Sequence, residues 1–172
     1  MKQLEEIMAI FKSTFALRSV LEITPSALEL HGIKGLILDI DNTLTTHDNP
    51  VPAEGVEEWI ADMKKHGIKL LIVSNNRAER VIPFAKKLKL RFVPNGAKPL
   101  PIGLRKAIKR LGLKKSEICA VGDQIFTDIL GANLAGIRSI FVYPIEPETS
   151  RFFKIKRTIE KPLLPKGYNR FD

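Results

Sequence analysis

Gly35-Leu36-Ile37-Leu38-Asp39-Ile40-Asp41-Asn42-Thr43 is the stretch whose reading decides the fold. Its short apolar run reads as a strand buried on both faces, as in a parallel sheet, and it delivers two carboxylates to its C-terminal end. Side chains two residues apart in extended chain point the same way, so Asp39 and Asp41 can converge on one small volume. Like charges repel in a half-buried cleft, so a divalent metal or a shared proton is the expected reason for the pair. The bland alternative is a helix cap, since Asp41, Asn42 and Thr43 are all capping types. It leaves the rest of the pattern below unexplained.

Outward from this stretch, short apolar runs alternate with helical periods. Strands are expected at 34–40, 68–74, 90–93, 117–122 and 138–142, with helices at 54–66, 77–89, 100–111 and 125–135. In the third helix Leu104, Ala107, Ile108 and Leu111 form the apolar stripe, opposite Arg105, Lys106, Lys109 and Arg110. Gly67, Gly112 and Gly136 each follow a helical period, where a left-handed residue is wanted. Such alternation specifies an α/β fold: a three-layer, doubly wound, Rossmann-like parallel sheet with its functional loops at the strand C-termini. Residues 3–21 place Leu4, Ile7, Met8, Phe11, Phe15 and Leu21 on one helical face, stopped by Thr24-Pro25, and packing against the sheet is preferred to a membrane-surface or partner helix. Phe152, Phe153, Ile155 and Ile159 permit the same two readings, and Pro162, Pro165 and Gly167 suggest an extended, loosely held finish. The organisation expected is one domain with a core at 34–143, an N-terminal helix within 1–30 and a basic tail at 146–172.

The composition fits a globular domain of 172 residues, 44% hydrophobic and 27% charged. No apolar stretch reaches the roughly 18 residues needed to span a bilayer. Glu5, Glu6 and Lys12 argue against a secretory signal, and the single cysteine, Cys119, points to a reducing cytoplasm. The formal net charge of +9 predicts attraction to polyanions. Twelve Lys or Arg and no acid lie between Arg80 and Lys115. Only Phe84 and Phe92 interleave with them, so base stacking is poorly supported and nucleic acid is an unlikely partner. An anionic membrane, met at its inner face, and a phosphorylated substrate remain.

Four elements fall at successive strand ends: Asp39 to Thr43; Ser74-Asn75-Asn76; Lys98 within Asn95-Gly-Ala-Lys-Pro99; and Gly122-Asp123 followed by Asp128. In a doubly wound sheet these ends meet around one crevice. The chemistry they suit is phosphoryl transfer. A carboxylate can attack phosphorus, and a nest of Asp39, Asp41 and Asp123 suits Mg²⁺. Lys98 would neutralise charge, Ser74 and the backbone near Asn75 and Asn76 could hold phosphoryl oxygens, and Asp41 could serve the leaving oxygen and then water.

In this order the elements resemble the haloacid dehalogenase superfamily, with its Asp-x-Asp-x-Thr, Ser or Thr, Lys and Gly-Asp-(x)₄-Asp motifs. The resemblance covers roughly residues 34–143 and is nearest to the YqeG-type class IIIA phosphatases, themselves similar to the mitochondrial enzyme that dephosphorylates phosphatidylglycerophosphate. It implies Asp39 as nucleophile and Asp41 as general acid/base. It implies phosphoryl binding by Ser74 and Lys98, with Thr43, Asn75 and Asn76 beside them. Mg²⁺ would be held by Asp39, the carbonyl of Asp41, and Asp123, with Asp128 orienting Lys98 or metal-bound water. The short gaps from Thr45 to Val56 and from Arg77 to Ala97 leave no room for an inserted cap, so the fold is expected to be capless and the substrate lipid-borne. The competing readings are a small soluble metabolite as substrate, and an inactive anion- or membrane-binding module on the same fold. His47 reads as a solvent-exposed loop residue, His66 as a helix-end residue, and Cys119 and Trp59 as core.

Overall fold

Six parallel strands form one sheet in the computed structural model, which describes residues 5, 8–148, 150–165 and 171. The strands are β1 (Phe15–Leu17), β2 (Gly35–Leu38), β3 (Lys69–Val73), β4 (Arg91–Val93), β5 (Ile118–Gly122) and β6 (Arg138–Val142), in the order β1-β6-β5-β2-β3-β4. The helices are α1 (Pro25–Leu30), α2 (Val56–Lys65), α3 (Ala78–Lys87), α4 (Ile102–Leu111), α5 (Leu130–Ala135) and α6 (Arg151–Glu160). From β2 the chain steps outward through β3 and β4, then returns to pair β5 on the other side of β2. The winding direction therefore reverses between β2 and β5, which opens a crevice beyond their C-terminal ends.

Strand alternation assigns the two faces. Leu36, Leu38, Leu70, Ile72, Cys119 and Val121 pack with α1, α2 and α3 in one core. Ile37, Leu71, Val73, Ile118 and Ala120 pack with α4 and α5 in the other. Both faces of the central strands are covered, which is why they read as continuous apolar runs. Trp59 is core, as expected, and its indole Nε1 donates to the Ile23 carbonyl at 2.8 Å. Cys119 is fully buried, and burial pushes its thiol up, away from reactivity. Gly67, Gly112 and Gly136 all take the left-handed conformation expected of them.

The N-terminal helix needs correcting. Met8 and Ala9 are helical, but the segment turns at Ile10 and Phe11, and Phe15–Leu17 is the sixth strand, paired to β6. Leu4 and Ile7 lie outside the described residues. The helical spacing of Phe11 and Phe15 is coincidental: Phe15, Ala16 and Leu17 are all buried, as an intercalated strand requires. Thr24-Pro25 does not stop a helix but starts α1, with Thr24 Oγ1 accepting from the Ala27 amide at 3.2 Å and Pro25 in the first turn.

The tail needs correcting too. Residues 151–160 form α6, a helix that Phe152 to Ile159 permitted; the departure is the single 3₁₀ turn at Lys161–Leu163, where an extended finish was expected. Its inward residues are tied down by charge, not by the apolar pattern alone. Gly167 lies outside the described residues, whereas Phe171 is buried between Phe15 and His31. Between Thr45 and Val56 and between Arg77 and Ala97 no cap is inserted; the second gap holds only α3 and β4. Among the described residues no helix is long and apolar enough to cross a membrane.

Candidate active site

The crevice brings the sequence-distant elements together. A cavity of about 320 Å³ is lined by Asp39, Asp41, Ser74, Asn75, Asn76 and Lys98, and also by His47, Gln124, Thr127, Phe152, Phe153 and Lys156. At its floor Lys98 Nζ donates to Asp39 Oδ1 at 2.7 Å and to Asp128 Oδ1 at 2.6 Å. The loop carrying Lys98 is clamped by Asn75, whose amide donates to the Lys98 carbonyl at 2.9 Å and accepts from the Lys98 N–H at 2.7 Å. Asn75 is thus a brace for Lys98. Ser74 Oγ accepts from the Asn76 N–H at 3.1 Å and turns that loop back over the sheet. Thr43 Oγ1 is buried without a hydrogen-bond partner.

Asp39 and Asp41 leave β2 together but face different partners. Asp41 is held by the Asn76 amide and by Arg80, whose Nη2 reaches Asp41 Oδ1 at 3.0 Å and the Asn49 carbonyl at 2.9 Å. Arg80 was not singled out from the sequence, where it reads as one of many basic residues on an amphipathic helix. Asn42 bends the chain between the two loops in a left-handed conformation, φ 58°. Its side chain donates to Glu148 and accepts from the Glu146 N–H, both at 3.3 Å.

Asp39, Asp123 and Asp128 each offer an oxygen within 4.8 Å of the others. Both oxygens of Asp128 are engaged, one by Lys98 and the other by the Gln124 N–H at 3.1 Å. Asp123 is fully buried, and its Oδ1 has no partner at all. A buried carboxylate oxygen left unpaired costs free energy, and Asp39, Asp123, Asp128, Glu148 and Glu160 against Lys98 and Arg157 leave a local negative excess. Oxygen-only donors with that charge fit a divalent metal of the Mg²⁺ type, with Asp39 and Asp123 the available ligands. Gly122 makes this packing possible, because a Cβ there would fall 2.3 Å from Asp128 Cγ.

The electrostatics follow from burial. Desolvation pushes the Asp39 carboxyl up to about 6, against the pull of Lys98 and with help from Asp128 and Asp41. Desolvation raises Asp123 well above the ordinary carboxylate range, and the Arg157 guanidinium opposes it. Burial pulls Lys98 down, but Asp128 and Asp39 more than offset this and hold its ammonium above the usual lysine value. A metal-free cluster of this kind prefers to keep protons, which a divalent cation would displace.

Helix α6 supplies the far wall. Phe152, Phe153 and Lys156 face the cavity, and Lys156 Nζ donates to Gln124 Oε1. His47 is a cavity residue, not a freely exposed one: its ring lies 5.0 Å from that of Phe153 and its Nε2 3.5 Å from Glu148 Oε2. By contrast Arg105, Lys106, Lys109 and Arg110 of α4 do not line this cavity. The sequence marked the apolar residues of α6 but not its place at the site, because that role depends on which loop it lands beside.

Comparison with known proteins agrees with this geometry. A model of the haloacid dehalogenase-like hydrolases matches residues 46–136. The chain is 36% identical over 147 residues to the probable phosphatase YqeG of Bacillus subtilis, covering 86% of each protein. It is 30% identical over 127 residues to the mitochondrial phosphatidylglycerophosphatase GEP4 of Saccharomyces cerevisiae, covering 64% of this chain and 66% of that one. In fold it is similar to the 4-nitrophenylphosphatase of Thermotoga maritima, with a TM-score of 0.58 at 14% identity over 74% of this chain and 90% of that one. The chain belongs to the haloacid dehalogenase-like hydrolase family, and within it is a phosphatase of the YqeG type.

Proposed function

We propose that the chain hydrolyses a lipid-borne phosphomonoester, phosphatidylglycerophosphate, through a phosphoryl-enzyme intermediate on Asp39. The observation that carries the chemistry is the Asp39–Lys98–Asp128 chain of short ion pairs at the crevice floor, beside the unpaired oxygen of Asp123. In this reading an Asp39 oxygen forms the new bond to phosphorus as the bond to the leaving oxygen breaks. Asp41, oriented by Asn76 and Arg80, gives its proton to that oxygen and later takes one from the water that cleaves the intermediate. Lys98, the Ser74 hydroxyl and the Asn75 N–H stabilise the phosphoryl oxygens. Asp39 and Asp123 would hold a divalent cation, for which Mg²⁺ is the expected ion, and it would supply further positive charge for the same oxygens.

Three observations support a lipid substrate. The GEP4 relative bears that activity in its name. Phe152 and Phe153 give the cavity an apolar wall, and Lys156 adds a cation to it. From the cavity rim outward along α6, Phe152, Ile155 and Ile159 are 71%, 63% and 58% exposed at helical spacing, with exposed Arg151 and Lys154 nearby. An apolar stripe edged by cations suits the surface of an anionic bilayer. A soluble phosphomonoester is the second reading, favoured by a cavity near the lower end of the range for small-molecule sites, roughly 300 Å³.

The test is phosphate release, with Mg²⁺ and with EDTA, from phosphatidylglycerophosphate in mixed micelles, phosphatidic acid, sugar phosphates and nucleotides. Preference for phosphatidylglycerophosphate, abolished by Asp39→Asn and by EDTA, is expected. Preference for a soluble phosphate would refute the lipid reading, and full activity of the Asp39→Asn protein would refute the mechanism.

A further inference from the structure

Arg157 of α6 reaches into the crevice from outside the segment that the family model matches. Its Nη2 pairs with Asp123 Oδ2 and its Nη1 donates to the Asp123 backbone carbonyl, so one guanidinium grips two of the three acceptor oxygens of one residue. Its other bonds run to two further buried acids: Nη2 and Nε to Glu148 Oε1 at 3.1 and 3.3 Å, and Nη1 to Glu160 Oε2 at 3.2 Å. Those acids are themselves anchored. Glu148 accepts from the Asn42 amide at 3.3 Å, beside Asp41, and Glu160 accepts from the Phe126 N–H at 3.0 Å, just beyond Asp123.

We infer that Arg157 is the positioning residue for Asp123, which makes the C-terminal helix an integral part of the metal-binding apparatus; the inference rests on the proposed role of Asp123 as a metal ligand. The geometry leaves one atom free. With Oδ2 and the carbonyl occupied, Oδ1 is the sole unsatisfied oxygen of Asp123, and it belongs to the carboxylate grouped with Asp39 and Asp128. A guanidinium is suited to this because its planar fork fixes direction as well as charge. A cation so close to a metal would ordinarily repel it. Here Glu148 and Glu160 neutralise Arg157, so its contribution is orientation with little net positive charge. Groups that orient metal ligands from behind typically matter by about 10- to 100-fold in affinity.

The experiment is Mn²⁺ binding to the full chain, read from the electron paramagnetic resonance signal of free Mn²⁺, which needs no turnover. Wild type, Arg157→Gln, Arg157→Lys and Asp123→Asn are compared, with circular dichroism to verify folding. Arg157→Lys is the decisive variant, since it keeps the charge among Glu148 and Glu160 but lacks the planar fork that fixes the direction of the Asp123 carboxylate. Weakening of roughly tenfold or more in both Arg157 variants, with Asp123→Asn weaker still, is expected. Wild-type affinity in a folded Arg157→Lys protein, while Asp123→Asn loses binding, would overturn the role of Arg157 alone. Wild-type affinity in Asp123→Asn would overturn the ligand assignment, and this inference with it.

Discussion

Replacing Lys98 with methionine keeps the unbranched stem of the side chain and removes its charged end, leaving Asp39 and Asp128 facing each other across the crevice floor. Lys98 is 8% exposed and its two ion pairs measure 2.7 and 2.6 Å, so the carboxylates left behind have little access to water. Breaking a buried pair by deleting one partner costs about 3–5 kcal/mol. The cost should depend on pH with a definite sign. An acid raised from 3.8 to about 6 binds more protons folded than unfolded between those values. Asp39 therefore favours folding below that window, and the contribution, about 3 kcal/mol, is lost as pH rises through it. Without Lys98 the group that pulls Asp39 down is gone, so protonation persists to higher pH. At pH 5 Asp39 is largely neutral in both proteins and needs no cation; at pH 7.5 the wild type alone has one. Urea denaturation in EDTA should show a loss near the full range at pH 7.5 and a clearly smaller one at pH 5. Millimolar Mg²⁺ should recover part of it at pH 7.5, by preferential binding to the folded state. Equal losses at the two pH values, or a loss below about 1 kcal/mol at pH 7.5, would refute the argument.

Three further outcomes are expected. Asp41→Asn should slow turnover of alkyl phosphates far more than of nitrophenyl phosphate, because only poor leaving groups need the proton; equal losses across a leaving-group series would remove that role. Gly122→Ala should push Asp128 off Lys98, since the new Cβ would sit 2.3 Å from Asp128 Cγ, and should lower stability by about 1–3 kcal/mol and cut turnover together. Trp59→Phe removes the donor to the Ile23 carbonyl and should cost about 1–3 kcal/mol in denaturant while leaving kcat unchanged.

Much of the sheet was legible because the central strands are buried on both faces and carry no polar residue beyond Lys69, at the exposed start of β3. Gly35–Leu38, Lys69–Val73 and Ile118–Gly122 fall inside their expected ranges for that reason. The floor of the site was legible too, since Asp39, Lys98, Asp123 and Asp128 stand at strand ends that topology forces together. β1 was not. Three residues are too short to express a period of two, and Phe11 with Phe15 mimicked a helical spacing. Arg80 and Arg157 were also invisible, because a charged residue on an amphipathic helix looks the same whether it meets water or a buried carboxylate, and so was Glu148 in the loop between β6 and α6. For His47 the error had the same root: its neighbours Phe153 and Glu148 come from the other end of the chain.

β1 has a consequence for how the chain comes to be sealed. Thr14 and Ser139, 125 positions apart, exchange backbone and side-chain hydrogen bonds at the start of the β1–β6 pairing. During synthesis β1 emerges early and must wait for nearly the whole sheet before its partner exists. Until the two meet, Ile140, Phe141 and Val142 present an apolar strand with one row of amides and carbonyls open to any passing chain. Three residues thus act as a stopper for the sheet. A fusion partner or cleavage that displaced Phe15–Leu17 would uncover the longer edge of β6, one strand from the crevice, and convert a short, buried margin into one that self-associates.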